Sequence, residues 1–296
     1  MKLSSEQPKI IVVGSSSIDL VLLTARHPQP NETVMASKAD RFFGGKGANQ
    51  AVGTARLGAI VYFVGCVGMD PLGKQVIGNL VNEGVNVGFI HETERADTGT
   101  AYVTSAGGKN AIVVVPAANY CLKPEHINRA EKYFESADLI LLQLEIPMDT
   151  VEHTVQLAKR YGKKVLIYAA PAMKLSEEVL EYASFIVAKS SELSLIFGEA
   201  NREHVLRNFP NKVFVRDDTN STTYFNGSEM KYYRNDHDDM LYKIGMGDAF
   251  TSGFAVAYCH GNPIEVCVKF GTDVSLKVAK NKGSQGGLPY LADLVL

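Results

Sequence analysis

The sequence predicts an α/β fold with a mostly parallel central sheet and helices on both faces, and three observations carry that expectation. Continuous apolar runs at 9–14, 60–64, 139–144, 164–168 and 185–187 have the composition of strands buried on both sides. Helical patterns at 73–82, 124–134 and 150–160 separate them, which is the alternation of crossover connections. The 296 residues, 46% of them hydrophobic, supply a sizeable core and make a single domain over 1–296 the expected organisation.

Charge and cysteine usage narrow the function classes. Thirty basic against 32 acidic side chains leave a formal charge of -2, so there is no basic field for nucleic acid or an anionic membrane. Cys66, Cys121, Cys259 and Cys267 form no C-x-x-C pair and no zinc-ligand spacing, which fits a reduced protein. The first apolar run, 10–13, is too short for a signal-peptide core or a membrane span, and a cytoplasmic location is expected.

In chain order, KIIVVG at 9–14 is the first central strand, and GSSSIDLVL after it lacks the G-x-G-x-x-G fingerprint of dinucleotide folds. Asp19 is expected in a loop beyond that strand's carboxyl end, where open α/β sheets place ligands and where turn aspartates are also common. Residues 32–43, 100–105 and 110–115 read as short strands able to pair as a small separate sheet. Between them FGGKGANQAVGTARLG, 43–58, opens a helix whose Ala48, Ala51, Val52 and Ala55 share a narrow face. Lys46 and Asn49 sit by its first turn, suited to gripping hydroxyls or a negative group; the glycines have no evident packing reason, and the spacing is not that of a Walker A loop. Glu145 ends the strand LLQLE, where burial would call for a partner such as a substrate hydroxyl. Short strands follow at 212–216, 222–225 and 230–233, and a long apolar-faced helix at 263–280 precedes the loop NKGSQGGLP.

The chain is organised around KIGMGDAFTSGFAVAY, 243–258, where Gly245 and Gly247 turn the backbone into a helix with its first N–H groups bare. Such a mouth attracts anions. Asp248 on its rim could take a proton from a hydroxyl while the N–H groups of Gly245, Met246 and Gly247 stabilise charge on a transferring phosphoryl group. The same residues would also serve as an N-cap and a tight turn.

Together, GGKGANQA at 44–51 and GMGDAF at 245–250 resemble the two signatures of the ribokinase, or PfkB-type, carbohydrate kinase family, closest to its ribokinase branch. Weaker likenesses at GSSSIDL, VPAANYCLKPE, LLQLEIP, AAPAMKL and NKGSQGGLP extend over most of the chain. The resemblance implies a ribokinase-like three-layer sandwich with a small β lid inserted at about 17–42 and 98–115 and a homodimer through the lid strands. It implies ATP-dependent phosphorylation of the primary hydroxyl of a small sugar, ribose or a related pentose. By match to the family's motifs, Asp19, Gly45, Lys46, Asn49 and Glu145 would contact the sugar, Asp248 would be the base, and Gly245, Met246 and Gly247 the anion hole.

The departures cluster on the nucleotide side. The family's Asp-Thr ahead of the second signature is Tyr242 and Lys243 here, which argues against a monovalent-cation site for potassium. Its Asn-x-x-Glu reads Lys189, Ser190, Ser191, Glu192, leaving Glu192 as the candidate ligand for magnesium and Lys189 as a direct phosphate partner. Its Thr-Leu-Gly-x-x-Gly reads RDDTNS from Arg216, Thr272 stands beside the expected adenine position, and Gly287 replaces a serine. These changes also admit a sugar-binding relative of weak or no activity, acting as a sensor or regulatory subunit.

Overall fold

The computed structural model describes residues 1–234, 244–279 and 283–294. Tyr242 and Lys243, two of the departures named above, lie outside them. The chain opens with β1 (Lys9–Val13), β2 (Ser17–Thr24), β3 (Ala36–Gly44), α1 (Lys46–Arg56), β4 (Ile60–Gly68), α2 (Pro71–Asn82) and β5 (Asn86–Thr93). It continues through β6 (Thr100–Ala106), β7 (Lys109–Val115), α3 (Pro124–Asn128), α4 (Glu131–Phe134), β8 (Leu139–Gln143), α5 (Met148–Arg160), β9 (Lys164–Tyr168) and α6 (Glu177–Tyr182). The last third holds β10 (Phe185–Lys189), α7 (Leu193–Phe197), α8 (Arg202–Asn208), β11 (Val213–Arg216), β12 (Thr222–Phe225), β13 (Met230–Tyr233), α9 (Met246–Cys259) and α10 (Ile264–Val278).

Nine strands form the large sheet in the order β13-β12-β11-β10-β9-β8-β1-β4-β5. It is parallel from β11 to β5, and β12 and β13 return antiparallel. Alternate side chains of each strand enter opposite layers, because successive Cβ atoms point to opposite faces. Ile10 and Val12 pack with α1, α2, α9 and α10, whereas Ile11 and Val13 pack with the layer built from α3 to α8. The result is the expected three-layer α/β sandwich.

A second sheet, in the order β3-β2-β6-β7, holds the strands expected to pair separately. Its pairing runs from Ser17 opposite Gly44 to Thr100 opposite Val115. Two boundaries differ from expectation. Asp19 lies inside β2, not in a loop, because the chain leaves β1 by the three-residue turn 14–16 and pairs at once with β3 and β6. The pattern at 124–134 is two short helices, broken around Arg129 and Ala130.

The carboxyl ends of the parallel strands bring the Ser15 turn, Gln143, Tyr168, Lys189 and Arg216 to one edge of the large sheet. The chain reverses its direction of winding at β1, the place where ligands gather in open sheets. Among the described residues, no helix is long and apolar enough to cross a membrane.

Candidate active site

The two glycine-opened helices meet here for reasons visible in their backbones. Gly45 has φ 85°, and a Cβ on it would lie 2.4 Å from the Cα of Ser16. At Gly47 a Cβ would come within 2.7 Å of the Gly14 carbonyl carbon and of the Ser15 backbone. The glycines that lacked a packing reason in the sequence therefore let the start of α1 press onto the turn after β1. Gly245 caps α9 in the left-handed region, at φ 84°. Its carbonyl accepts from the Ala249 N–H, so the N–H groups of Met246, Gly247 and Asp248 precede any intrahelical acceptor. Among the described residues, α1 and α9 then pack against each other along their length, burying Gln50, Thr54, Ser252 and Asp248 between them.

One cavity of about 410 Å³ is lined by Asp19, Gly45, Lys46, Asn49 and Glu145 together with Gly245 and Asp248. A second of about 300 Å³ adjoins it and shares Lys46, Lys189, Gly245 and Asp248, adding Met246, Gly247 and Arg216. The structure thus brings together most of the residues singled out in the sequence. Thr272 does not join them: it is wholly buried in α10, and its hydroxyl donates to the Val268 carbonyl at 2.9 Å.

The carboxylates of this cavity differ in setting. Asp248, 5% exposed, accepts from Asn49 Nδ2 at 2.9 Å and from Gln50 Nε2 at 3.0 Å. Burial raises its pKa from 3.8 to about 6, against the pull of Lys46 and of the two amides. Asp19 is likewise raised to about 6 by burial, with Ser17 Oγ donating to it at 3.0 Å. Glu145 behaves oppositely. Burial works against its charge, but the Lys46 ammonium at 3.2 Å, the Ser15 hydroxyl and the Lys46 N–H together lower its pKa. The buried carboxylate therefore has protein partners, Ser15 and Lys46, before any hydroxyl is bound. Burial opposes the Lys46 charge too, and the carboxylates of Glu145 and Asp248 reverse that and raise its pKa.

Several residues of the site went unread in the sequence. Gln50 accepts at its Oε1 from Gln143 Nε2 at 2.7 Å, and Asn49 accepts from Gln285 Nε2 at 3.1 Å, which extends the amide chain on both sides of Asp248. Asn119 exchanges two 2.9 Å hydrogen bonds with Ser16 and fixes the turn after β1. The phenol of Tyr168 stands where a Cβ on Gly247 would be, 2.2 Å away, so only glycine fits there. Gln143, a lone amide at the end of the apolar run LILLQ, was the one legible signal. On the phosphate side, Glu192 lines the larger cavity and has a buried Oε2 with no hydrogen-bond partner. Among the described residues, no group of three or more His, Cys, Asp or Glu is placed to hold a metal ion.

Comparison with known proteins agrees with this geometry. The model of the pfkB family of carbohydrate kinases matches residues 7–291. Ribokinase of Bacillus subtilis is 34% identical over 280 residues, covering 95% of this chain and 96% of that one. Deoxyribokinase of Salmonella typhi is 29% identical over 295 residues, covering 95% and 96%. Among solved structures, Arabidopsis thaliana ribokinase complexed with ribose and ATP superposes with a TM-score of 0.87 at 26% identity, covering 97% of both chains. Ribokinase of Thermotoga maritima gives 0.84 at 30%, covering 97% of this chain and 98% of that one. With the family model spanning nearly the whole chain and the two signatures facing one cavity, this protein belongs to the pfkB family and is a ribokinase-like carbohydrate kinase.

Proposed function

We propose that the protein transfers the terminal phosphoryl group of ATP to the primary hydroxyl of ribose or a related pentose. The observation that carries the reading is the position of Asp248: a carboxylate with a pKa near 6, held by two amides, between a polar pocket and an amide-lined helix mouth. Asp19, Gly45, Lys46, Asn49 and Glu145 bind the sugar hydroxyls, since carboxylates, amides and an ammonium offer both acceptors and donors. Asp248 accepts the proton of the attacking hydroxyl, and the N–H groups at Gly245, Met246 and Gly247 meet the charge that grows on the phosphoryl oxygens. Lys189, at the end of β10 and on the wall shared by both cavities, faces the nucleotide phosphates. The orphan oxygen of Glu192 fits magnesium, which proteins usually hold through one or two carboxylates plus substrate phosphates. Glu192 would hold it, and bound magnesium would neutralise phosphate charge.

The four free thiols support a reducing compartment, the cytoplasm. Pairing of two copies is supported by β7, an edge strand exposed along its whole length with Ile112 and Val113 50% and 66% exposed.

The test is a coupled ADP-release assay across pentoses, hexoses and nucleosides with ATP and magnesium. Turnover on a pentose supports the proposal. Sugar binding by calorimetry with no ADP release from any acceptor would overturn it in favour of a sugar-binding sensor.

A further inference from the structure

The smaller cavity, whose walls also carry Asp217, Asp218 and Asp248, holds a buried guanidinium that makes no salt bridge with any of them. Arg216 ends β11 opposite Lys189 of β10, lines this cavity together with the turn 245–247, and is only 6% exposed. Its guanidinium lies 4.2 Å over the Phe250 ring. Its donors reach the Met246 carbonyl and Ser275 Oγ at 3.4 Å each, the long limit for a hydrogen bond. Among the described residues, no carboxylate makes an ion pair with it. The neighbouring Asp217 folds back onto its own turn, where Oδ1 accepts from Thr219 and Ser221.

Asn220 lines the same cavity. Its Oδ1 accepts from Ser275 Oγ at 2.9 Å, while its Nδ2 is buried with no partner. Native proteins seldom leave a buried guanidinium uncompensated or a buried amide N–H unused, because both forgo water for nothing in return. Burial lowers the pKa of Arg216 to about 10, so it remains a cation at neutral pH. Both sets of spare donors border the cavity into which the bare N–H groups of α9 open, and what they lack is an anion with several acceptor oxygens.

We propose that Arg216, aided by Asn220, binds the phosphate chain of the nucleotide, as a fixed cation built into the mouth of α9. This rests on the phosphoryl-transfer reading above. The planar guanidinium can meet phosphate oxygens through two parallel N–H donors, which the ammonium of Lys189 cannot. A consequence of opposite sign to ordinary packing follows. In the free protein the unpaired charge is a burden, so removing it leaves the fold as stable or more so, while phosphate binding is lost.

The experiment combines thermal melting and calorimetry on the full chain, with ATP, inorganic tripolyphosphate and ribose as probes, for wild type, Arg216→Met, Arg216→Lys and Asn220→Ala. The expected result is that Arg216→Met melts no lower than wild type without ligand, keeps its ribose affinity, and binds ATP and tripolyphosphate at least tenfold more weakly. Arg216→Lys should recover part of that affinity, and Asn220→Ala should lose several-fold. If Arg216→Met melts well below wild type or fails to fold, while Arg216→Lys binds both polyphosphates undiminished, Arg216 is structural and the inference is overturned. If wild type binds tripolyphosphate through Arg216 but has no affinity for ATP, the anion site stands and the kinase reading falls. If wild type binds ribose but neither polyphosphate, both fall.

Discussion

Asn49 donates through Nδ2 to Oδ2 of Asp248 at 2.9 Å, a hydrogen bond that ties the first turn of α1 to the first turn of α9. Two stretches 199 residues apart in sequence thereby become the two walls of one cavity. With Gln50 on the other oxygen at 3.0 Å, the carboxylate is fixed in direction before any substrate arrives. Fixed acceptors of this kind need little reorganisation at the moment of proton transfer.

The pH dependence of turnover follows from that environment. A general base must be ionised, so kcat/KM should fall about tenfold per pH unit below about 6, the value to which burial raises Asp248. Gln50→Leu removes an N–H that favours the ionised form, and a charge-assisted hydrogen bond of this kind is equivalent to about one pKa unit. The acid limb should move up by about that much, as read from a pH–rate profile of the variant against wild type.

Breaking the Lys46–Glu145 pair should cost stability in a pH-dependent way. Lys46→Met strands the buried Glu145 carboxylate, and a loss on the order of 2–3 kcal/mol is expected at pH 7 for a pair that retains some exposure. Because Glu145 is lowered below 4.5 in the folded protein, its contribution is present above that value and disappears as pH falls through the lowered pKa. The difference from wild type in urea unfolding should therefore shrink in acid. Lys46→Met combined with Glu145→Gln should recover most of the loss.

Two glycines in helices should respond in opposite directions to alanine. A Cβ at Gly47 meets only backbone at 2.7 Å, which cannot yield cheaply, so Gly47→Ala should destabilise by about 1–3 kcal/mol. Gly78 in α2 has nothing within 4 Å of its Cβ position, so Gly78→Ala should stabilise by about 0.5–1 kcal/mol. Chemical denaturation of the two variants side by side checks both signs.

Pairing through the second sheet makes a separate prediction. Val113→Asp with Val115→Asp places charges on β7, and sedimentation should show a dimer in wild type and a monomer in the variant. A wild-type monomer at micromolar concentration would remove this part of the proposal.

Much of this was legible in the sequence where one physical signal dominated. The central parallel strands are continuous apolar runs because both faces are buried, and β9 matches its expected range residue for residue, as do the antiparallel β12 and β13. Short or mixed elements were not legible. Helices α6, α7 and α8 have six, five and seven residues, too few to establish a period of 3.6. Strand β5 is the edge of its sheet, and its half-exposed NVGFIHET carries no apolar run. At the site, glycines and Asp248 were readable because a turn into a helix has few solutions. Gln50 and Arg216 were not, since an amide or a guanidinium becomes informative only when its burial and its missing partners are known.

The central claim is that Asp248 is the base that activates a sugar hydroxyl, and the most direct measurement is kcat of Asp248→Asn on the pentose that wild type phosphorylates, with sugar affinity measured beside it. Because burial raises the pKa of Asp248, its contribution to stability is complete below 3.8 and lost as pH rises through about 6, so the variant should be no less stable than wild type at pH 8. The account predicts a kcat lower by about 10²- to 10⁴-fold with the sugar affinity within a few-fold of wild type. Undiminished kcat in a folded, sugar-binding Asp248→Asn would contradict it.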